Sequence, residues 1–158
     1  HLVMIDDQEG RFLIRPLEMG DYDRGYLQVL GELTIVGQVS REQFQGFLDH
    51  VMKSENLYLV IVDKQDDRIV GAGTLLLEQK IIHSMGKCGH VEDIVVSERV
   101  RGRNLGKLLI EALLKHARSM NCYKVILDCA ERNVQFYEKC GFTRKEVQMA
   151  VYFKDSKC

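Results

Sequence analysis

The sequence predicts an α/β (α+β) domain whose mixed, largely antiparallel central sheet carries flanking helices. Two apolar runs, "LYLVIVD" and "IVGAGTLLLE", are separated only by "KQDDR", which is typical of an antiparallel hairpin. Further along, an amphipathic stretch at residues 105–120 lies between the strand-like runs "HVEDIVV" and "YKVILDC", which indicates a β-α-β unit. The chain of 158 residues is long enough for one sizeable core, so we expect a single domain over residues 1–158.

The other elements are predicted in chain order. "GRFLIRPL" is expected to be the first strand, ended by Pro16, and residues 21–33 and 41–54 have helical spacing. Ser40 is a good N-cap for the second of these helices. "NVQFYEKC" is predicted to be a short helix that ends before Gly141. "VQMAVYF" alternates and is predicted to be a final strand, so the sheet would end with residues 147–153.

Composition and charge exclude several classes of partner. The net charge is −1 and no apolar run approaches the roughly 18 residues of a membrane span, so neither nucleic acid nor a membrane is an expected partner. No leader peptide is recognisable in "HLVMIDDQEGRFL". The five cysteines are scattered and form no CxxC pair, which predicts reduced thiols, a cytoplasmic location and no metal site.

The stretch "VRGRNLGKLLIEALLKHA", residues 100–117, predicts an anion site. It places three cations and two glycines directly before a helix, whose first N–H groups and dipole attract negative charge. A solvated basic turn is the alternative, but the coincidence of these features after a buried-looking strand favours the site. The spacing is one residue short of a P-loop and lacks its hydroxyl, and the dinucleotide-binding pattern of three glycines is absent.

Within this stretch, "RGRNLG" resembles the pyrophosphate loop of the GNAT superfamily of N-acetyltransferases, [RQ]-x-x-G-x-[GA]. Arg101 and Gly106 match the ends of that pattern. Asn104 stands at its first glycine, and asparagine tolerates the left-handed conformation better than most residues. "KIIHSMGKCGHVEDIVV", "YKVILDC" and "NVQFYEKCGF" narrow the resemblance to one member family, the glucosamine 6-phosphate N-acetyltransferases, most strongly over residues 78–142.

The resemblance implies the GNAT-type acyl-CoA N-acyltransferase fold and a reaction. Acetyl-CoA would be the co-substrate, and its acetyl group would pass in a ternary complex to the amine of D-glucosamine 6-phosphate. The products would be CoA and N-acetyl-D-glucosamine 6-phosphate, on the route to UDP-N-acetylglucosamine. The enzyme would be a cytoplasmic homodimer and would need no metal.

The resemblance also implies roles for individual positions. Coenzyme A would be held by Ile94, Val95, Val96, Arg101, Gly102, Arg103, Asn104, Leu105, Gly106, Lys107, Asn133 and Tyr137. The sugar phosphate would be met by Thr34, Lys80, Ile81, Ile82, His83, Glu92, Asp93, Tyr123, Lys124 and Asp128. The catalytic set would be Tyr137, Glu92, Asp93 and Asp128.

Two of these assignments also follow from the chemistry of the residues. Strand alternation puts Glu92 and Asp93 on opposite faces, and an unpaired carboxylate in a central strand is unfavourable unless it has a task such as orienting an amine or accepting its proton. Tyr137 is the proposed donor to the leaving thiolate. Tyrosine has a pKa of about 10 and a thiol about 8.5, so either the basic loop lowers the pKa of Tyr137 or its hydroxyl mainly hydrogen-bonds the sulfur. We favour the second.

Cys140 follows Tyr137 by three residues on the predicted short helix, so both side chains are expected near one face, close to the CoA thiol. We therefore add Cys140 to the expected cofactor contacts and expect it to form a mixed disulfide with CoA on oxidation. The competing interpretation is a small buried side chain that packs the helix against the sheet.

The sequence departs from the resembled family at one place. An arginine near the C-terminus usually meets the sugar phosphate there, often from the partner subunit, whereas this chain has "MAVYFKDSKC". Either Lys154, or Lys80 and Lys124, would then carry the phosphate, or the substrate would be held differently. Two further functions stay open: acetylation of a polyamine or a protein amine, and a CoA-binding module without catalysis. Tyr137 and the acidic strand argue against the last.

Overall fold

The computed structural model describes residues 5–7 and 9–153, so Lys154 lies outside the described residues. Six strands form one sheet in the order β1 to β6; neighbours are antiparallel except β5 and β6, which run parallel. The strands are β1 (Ile5–Asp6), β2 (Phe12–Pro16), β3 (Leu57–Asp63), β4 (Arg68–Gln79), β5 (Lys87–Val96) and β6 (Cys122–Ile126). The helices are α1 (Tyr26–Leu30), α2 (Arg41–Val51), α3 (Ile82–Met85), α4 (Leu105–Ser119) and α5 (Val134–Lys139), with 3-10 turns at Met19–Tyr22, Glu98–Val100 and Glu131–Asn133.

The structure confirms the predicted fold class and its two main units. Strands β3 and β4 form the expected hairpin, and α4 is the crossover between the parallel strands β5 and β6. Ser40 caps α2 as predicted: its hydroxyl accepts from the N–H of Gln43, and the Gln43 side chain accepts in return from the N–H of Ser40.

Helices cover both faces of the sheet because the central strands are apolar on both sides. In β3, Leu59 and Ile61 pack with α4, whereas Val60 and Val62 pack with α1 and α2 on the opposite face. All four of these side chains are buried. The alternation of a strand with period two therefore supplies two separate cores, and the sheet lies between them.

Two predicted elements are wrong. The helix expected over residues 21–33 is a 3-10 turn followed by the short helix α1, because Gly25 lies between them with a φ of 95°. The strand expected over residues 147–153 does not form, since no ladder pairs within residues 142–153. Its apolar residues Val147, Met149 and Val151 are 84%, 88% and 76% exposed, so the segment lies outside the sheet, although the outer edge of β6 has no neighbouring strand among the described residues.

The sheet opens between its last two strands. Strand β5 pairs with β4 as far as Val96, but with β6 only as far as His90. The β6 side of β5 therefore lacks a neighbouring strand from Val91 onward. This opening lies next to the N-terminus of α4, where the sequence predicts the anion site.

Candidate active site

The predicted strand contacts of the cofactor, Ile94, Val95 and Val96, all lie in the open part of β5. Just before them the ladder with β4 is irregular, because Ala72 pairs with Val95 and Thr74 with Glu92. Three residue steps on β5 thus face two on β4, which is a β-bulge. A bulge breaks strand pairing locally and re-aims the side chains around it, so it prepares this part of β5 for a ligand.

Asp93 lies in the bulge with a φ of 51°, a left-handed conformation uncommon outside glycine. Its carboxylate lines a cavity on the α1 and α2 side of the sheet. The pKa of the adjacent Glu92 responds to Asp128, which follows the end of β6, and also to Asp93 itself. The bulge interrupts the regular alternation of β5 here, so the placement of Glu92 and Asp93 on opposite faces stays a prediction.

Glu92, Asp93 and Asp128 form an acidic group without counter-ions. None of the three carboxylate groups makes a salt bridge or a hydrogen bond with another residue in the ranges 5–7 and 9–153. Burial raises the pKa of Glu92, and the charges of Asp128 and Asp93 raise it further. An ammonium group would relieve this excess of negative charge, so the arrangement suits an amine.

Close to these acids, the start of α4 offers unbonded donors. Gly102 and Asn104 both have positive φ, 83° and 64°, which confirms that Asn104 adopts the left-handed conformation predicted for it. The Asn104 side chain makes no capping bond, and no described group accepts from the N–H groups of residues 105–107. These donors and the dipole of a 15-residue helix make an anion cradle.

The basic side chains of the loop surround this cradle. Arg101 is 60% exposed and donates to the carbonyl oxygen of Val96 at 3.4 Å, and Lys107 is 44% exposed one turn into α4. The Arg103 guanidinium lies 5.6 Å from the centre of the Phe12 ring. The cations therefore stay accessible to a phosphate.

Two contacts that sequence reasoning missed hold this loop in place. Arg99 donates to the carboxylate of Asp66 at 3.0 Å, which ties the loop to the β3–β4 turn. A carboxylate oxygen of Glu32 accepts from the N–H of Glu98 at 3.0 Å, which ties it to the segment after α1. Neither contact has a sequence signal, because each joins exposed residues far apart in the chain.

Tyr137 lies on α5 with its ring between Phe136 and Phe142, at centroid distances of 5.0 and 5.9 Å. The pKa of Tyr137 is raised to about 12, mainly by burial and also by Cys129, Cys140 and Asp128. The alternative in which the basic loop lowers this pKa is therefore wrong. A phenol that keeps its proton acts as a hydrogen-bond donor.

Cys140, at the end of α5, is half-buried and packs against the core under α4. Burial raises the pKa of its thiol, which Lys107 lowers in part. This environment favours the small buried side chain over a reactive thiol. The oxidation expected for Cys140 stays a prediction, as does the cofactor contact of Asn133, which begins α5.

The candidates for the sugar phosphate fall into two groups. His83 stacks on Tyr123 with ring centroids 4.1 Å apart, and the Lys124 ammonium lies 5.7 Å from the Tyr123 ring centre. Lys80 pairs nearby with Glu78 at 3.3 Å. The neighbouring Ile81 and Ile82 are 83% and 60% exposed and belong to this first group.

The first group is remote from the acids of its own chain. Lys124 pairs with Cys88, and Asp93 lies five residues further along β5, which corresponds to about 16 Å. Thr34, which forms the second group, follows α1 on the cavity side of the sheet. Within one chain, Lys124 and Asp93 are therefore separated along the sheet.

The cavity beside Asp93 has a volume of ≈ 380 Å³. Its walls include three residues that the sequence indicated only as core or strand positions, Tyr26, Tyr58 and Thr74. Burial raises the pKa of both tyrosines, and the charge of Asp93 raises each further. No sequence signal distinguishes these residues from ordinary core, because apolar spacing hides a hydroxyl that faces a cavity.

Glu78, Cys88 and His90 have ligand-type atoms within 4.8 Å of one another, a grouping that could hold a metal ion and that the sequence analysis did not predict. The His90 ring nitrogen and a Glu78 oxygen already lie at hydrogen-bonding distance, 2.9 Å, and Glu78 also pairs with Lys80.

In the part of the chain that the structure describes, no helix is both long and apolar enough to cross a membrane.

Comparisons with known proteins agree with this geometry. The sequence model of the acetyltransferase (GNAT) family matches residues 24–142. The glucosamine 6-phosphate N-acetyltransferase of Arabidopsis thaliana is 42% identical over 90% of this chain and 97% of its own. Glucosamine 6-phosphate N-acetyltransferase 1 of Dictyostelium discoideum is 46% identical over 87% of this chain and 88% of its own.

Solved structures agree as well. The crystal structure of the Arabidopsis thaliana enzyme superposes with a TM-score of 0.89 at 41% identity, covering 90% of this chain and 99% of that one. The structure of an acetyltransferase from Trypanosoma brucei superposes with a TM-score of 0.85 at 36% identity, with the same coverage of 90% and 99%. The similarity thus extends over the whole sheet and its helices.

Proposed function

We propose the following reaction from the premise that the chain belongs to the GNAT family of acetyltransferases and, within it, to the glucosamine 6-phosphate N-acetyltransferases. The protein is an enzyme that transfers the acetyl group of acetyl-CoA to the amine of D-glucosamine 6-phosphate. The products are N-acetyl-D-glucosamine 6-phosphate and CoA. Transfer is direct, with both substrates bound together.

One observation carries this proposal: a group of unpaired acids and a group of unpaired donors flank the same open stretch of β5. Glu92, Asp93 and Asp128 lack counter-ions among the described residues, and the N–H groups of residues 105–107 lack acceptors. The acids suit an amine acceptor and the donors suit the phosphates of CoA. A binding module without catalysis would need only the second group.

The chain's own residues then have distinct tasks. Acetyl-CoA supplies an activated thioester, held by the backbone of Ile94–Val96 and by residues 101–107, with Asn133, Tyr137 and Cys140 further along. Glu92 accepts the proton that the amine loses, directly or through water, since burial moves its pKa toward neutrality. Asp128 and Asp93 orient the amine and hydroxyl groups of the sugar. Tyr137 donates a hydrogen bond to the sulfur as negative charge develops there.

A homodimer completes the site in this proposal. Lys124 lies beside Cys88, about 16 Å along β5 from Asp93 of its own chain, so in this proposal a second copy supplies Lys80–His83, Tyr123 and Lys124. The exposed apolar alternation of residues 147–151 supports the same conclusion, because it suits a strand that pairs with another copy. The phosphate is then held by Lys124 and Lys80 of the second copy, opposite Thr34 of the first.

The expected surroundings are the cytoplasm. The four described cysteines, Cys88, Cys122, Cys129 and Cys140, are free thiols, which supports a reducing compartment. The tasks above are all assigned to side chains and backbone groups, so the proposed chemistry needs no metal.

The reaction is tested by following CoA release with several amines. We expect kcat/KM for glucosamine 6-phosphate to exceed that for glucosamine on the order of a hundredfold, because binding of the phosphate positions the amine. Spermidine and a lysine-containing peptide serve as comparison acceptors. Equal kcat/KM for the two sugars would show that the enzyme does not recognise the phosphate group. A faster reaction with spermidine would show that the substrate is a polyamine rather than an amino sugar.

The shared site is tested by mixing two inactive variants. Lys124→Ala and Asp93→Asn chains, co-expressed with different tags, form mixed dimers in which one site carries both defects and the other carries neither. Random pairing then restores about a quarter of the wild-type activity. If Lys124 and Asp93 served the same site from one chain, mixing would restore nothing.

A further inference from the structure

The segment that joins α1 to α2, residues 31–40, has few contacts of its own. The N–H groups of residues 31–34 donate to carbonyl oxygens of α1, but no N–H group of residues 35–39 donates to another residue in the ranges 5–7 and 9–153. Leu33, Thr34 and Ile35 are all exposed. Thr34 belongs to the acceptor site of the proposed function, so its position there depends on whatever holds this segment.

Two side-chain contacts hold the ends of the segment. The Tyr22 hydroxyl donates to the carbonyl oxygen of Val39 at 2.8 Å, close to the start of α2. At the other end, a carboxylate oxygen of Glu32 accepts from the N–H of Glu98 at 3.0 Å. Thr34 lies between these two contacts and only two residues from Glu32. The Glu32 contact is therefore the one that links Thr34 to the cofactor loop.

The N–H of Glu98 needs an acceptor from elsewhere in the chain. It opens the 3-10 turn Glu98–Val100, and the residue at the N-cap, Ser97, makes no side-chain capping bond. The first N–H groups of a helical turn have no partner within the turn. Glu32 thus takes the place of a capping side chain, and its negative charge makes the hydrogen bond a strong one of its kind.

The cofactor loop contacts Glu98 from its other side. The N–H of Arg101 donates to the carbonyl oxygen of Glu98 at 3.4 Å, and the Arg101 guanidinium lies 3.5 Å from the Glu98 carboxylate. Both distances are longer than the usual N–H···O distance of about 2.9–3.0 Å, so the turn can tighten when a phosphate orders the loop. A ligand at residues 101–107 therefore acts on the residue that Glu32 holds.

We propose that Glu32 is a positioning residue that couples the two substrate sites, so that CoA bound at residues 101–107 holds Thr34 in place for the sugar phosphate. Glu32 acts through the N–H of Glu98. Because coupling between two binding sites is reciprocal, the sugar phosphate strengthens the binding of CoA by the same factor. The inference rests on the proposed function for the identity of the second ligand.

Calorimetric titration with CoA, with and without saturating glucosamine 6-phosphate, measures the coupling, because CoA carries no acetyl group to transfer. We expect the sugar phosphate to tighten CoA binding at least about fivefold in the wild type. Glu32→Met keeps the length of the side chain and removes the carboxylate, so it should lower this factor at least about threefold. Its affinity for CoA alone should stay within about threefold of the wild type, because the donors of residues 101–107 are unchanged.

Two further variants separate the acceptor atom from the charge. Glu32→Gln keeps an acceptor oxygen on a side chain of the same length and should retain the coupling factor within about twofold. Glu42→Met removes an exposed glutamate at the start of α2 and should leave the factor unchanged. A coupling factor in Glu32→Met equal to that of the wild type would overturn the role of Glu32, and so would the absence of coupling in the wild type.

Hydrogen exchange with CoA alone tests the same contact without the sugar. Exchange of the N–H groups of residues 31–34 requires their bonds to α1 to open. We expect CoA to slow it at least about threefold in the wild type and in Glu32→Gln, but not in Glu32→Met. Equal protection in Glu32→Met and the wild type, or none in the wild type, would overturn the coupling.

Two outcomes keep this inference apart from the proposed function. Thermal unfolding shows whether each variant is folded, which we expect because Glu32 is exposed. If CoA protects residues 31–34 as expected while glucosamine 6-phosphate does not bind, the role of Glu32 stands and the proposed substrate fails. If glucosamine 6-phosphate is acetylated while CoA protects the segment equally in Glu32→Met, the proposed function stands and the coupling through Glu32 fails.

Discussion

Two sets of acidic side chains lie in this molecule, and they differ in their partners. Asp21 and Asp63 are 0% and 1% exposed, and each receives two hydrogen bonds from one arginine. Arg15 donates to Asp21 at 2.7 and 2.8 Å, and Arg11 donates to Asp63 at 2.8 and 3.0 Å. These pairs join the antiparallel first half of the chain.

The acids around the β5 bulge are the opposite case. Glu92, Asp93 and Asp128 lie in the open part of the sheet and have no such partner within the described ranges. The two sets also differ in burial, because Asp93 and Asp128 are exposed and Glu92 is only partly buried, so charge alone does not separate a structural acid from a candidate functional one. The distinguishing property is an unsatisfied partner, which a substrate can supply.

The largest expected effect is a loss of stability when a buried acid that pairs with an arginine is replaced. Asp21→Asn removes the partner that holds the Arg15 guanidinium, which is 12% exposed, through two hydrogen bonds, and leaves Arg15 only the longer pair with Glu18 at 3.4 Å. We expect the free energy of unfolding to fall by about 3–5 kcal/mol, measured by urea denaturation. Asp23→Asn is the control, because Asp23 is 61% exposed and pairs with Arg41 at the surface, and we expect a loss of less than about 1 kcal/mol. Equal losses of unfolding free energy in the two variants would mean that the buried Arg15–Asp21 pair stabilises the fold no more than a surface pair does.

The next largest expected effect is on kcat, and it follows from removal of the Tyr137 hydroxyl. Tyr137→Phe keeps the ring between Phe136 and Phe142 and removes only the hydroxyl. We expect kcat to fall by about 10²–10³-fold with little change in stability, because one oriented donor to developing charge is lost. Tyr152→Phe, at an 89% exposed tyrosine, is the control. A Tyr137→Phe enzyme within about twofold of the wild-type kcat, when chemistry limits turnover, would remove Tyr137 from the mechanism.

Obstruction of the N–H cradle should have a smaller effect. A Cβ added at Gly106 would lie 3.2 Å from the Phe136 ring and 3.8 Å from Val96, so Gly106→Val crowds the open end of β5. We expect KM for acetyl-CoA to rise by about tenfold in a folded variant. Gly46→Val in α2 adds the same side chain where a Cβ would meet nothing within 4 Å. An unchanged KM for acetyl-CoA in the folded Gly106→Val variant would contradict the cofactor loop.

The smallest expected effect is a gain in stability, whereas Asp21→Asn should cause a loss. Because the folded protein raises the pKa of Glu92, the ionised carboxylate destabilises the fold at neutral pH. Glu92→Gln should therefore increase the free energy of unfolding by less than about 1 kcal/mol at pH 7. The increase should vanish below the unfolded pKa of about 4.3, where both states are protonated, and denaturation across this range measures it. A loss of stability at pH 7 would place Glu92 among the paired acids.

The pH dependence of stability at Asp63 tests the same comparison between paired and unpaired acids. The hydrogen bond from Arg11 lowers the pKa of Asp63, so its stabilising contribution is complete above the unfolded pKa of about 3.9 and is lost as the pH falls through the lower folded value. Acidification should therefore reduce the stability difference between the wild type and Asp63→Asn. A difference that stayed constant down to about pH 2 would contradict this pairing.

Local patterns predicted the elements that local interactions determine. The Ser40 cap, the β3–β4 hairpin and the crossover helix α4 were all visible in the sequence and are confirmed. The left-handed Asn104 was also foreseen, because its position in the motif needs that conformation.

The failures occur where the deciding interaction is not local. The bulge at Asp93 depends on the register against β4, which no strand pattern reveals. The alternation of residues 147–153 was visible, but the pattern does not show whether the segment pairs with a sheet, and in the described chain it pairs with none. Tyr26 and Thr74 were indistinguishable from core positions, because only the packed structure shows which hydroxyl groups face a cavity.

The exposed segment at residues 147–151 also has a consequence for handling the protein. An apolar, alternating segment and the outer edge of β6 are two surfaces that can template association with unrelated chains. Both surfaces are exposed in the described chain, so loss of material to aggregates should increase with protein concentration.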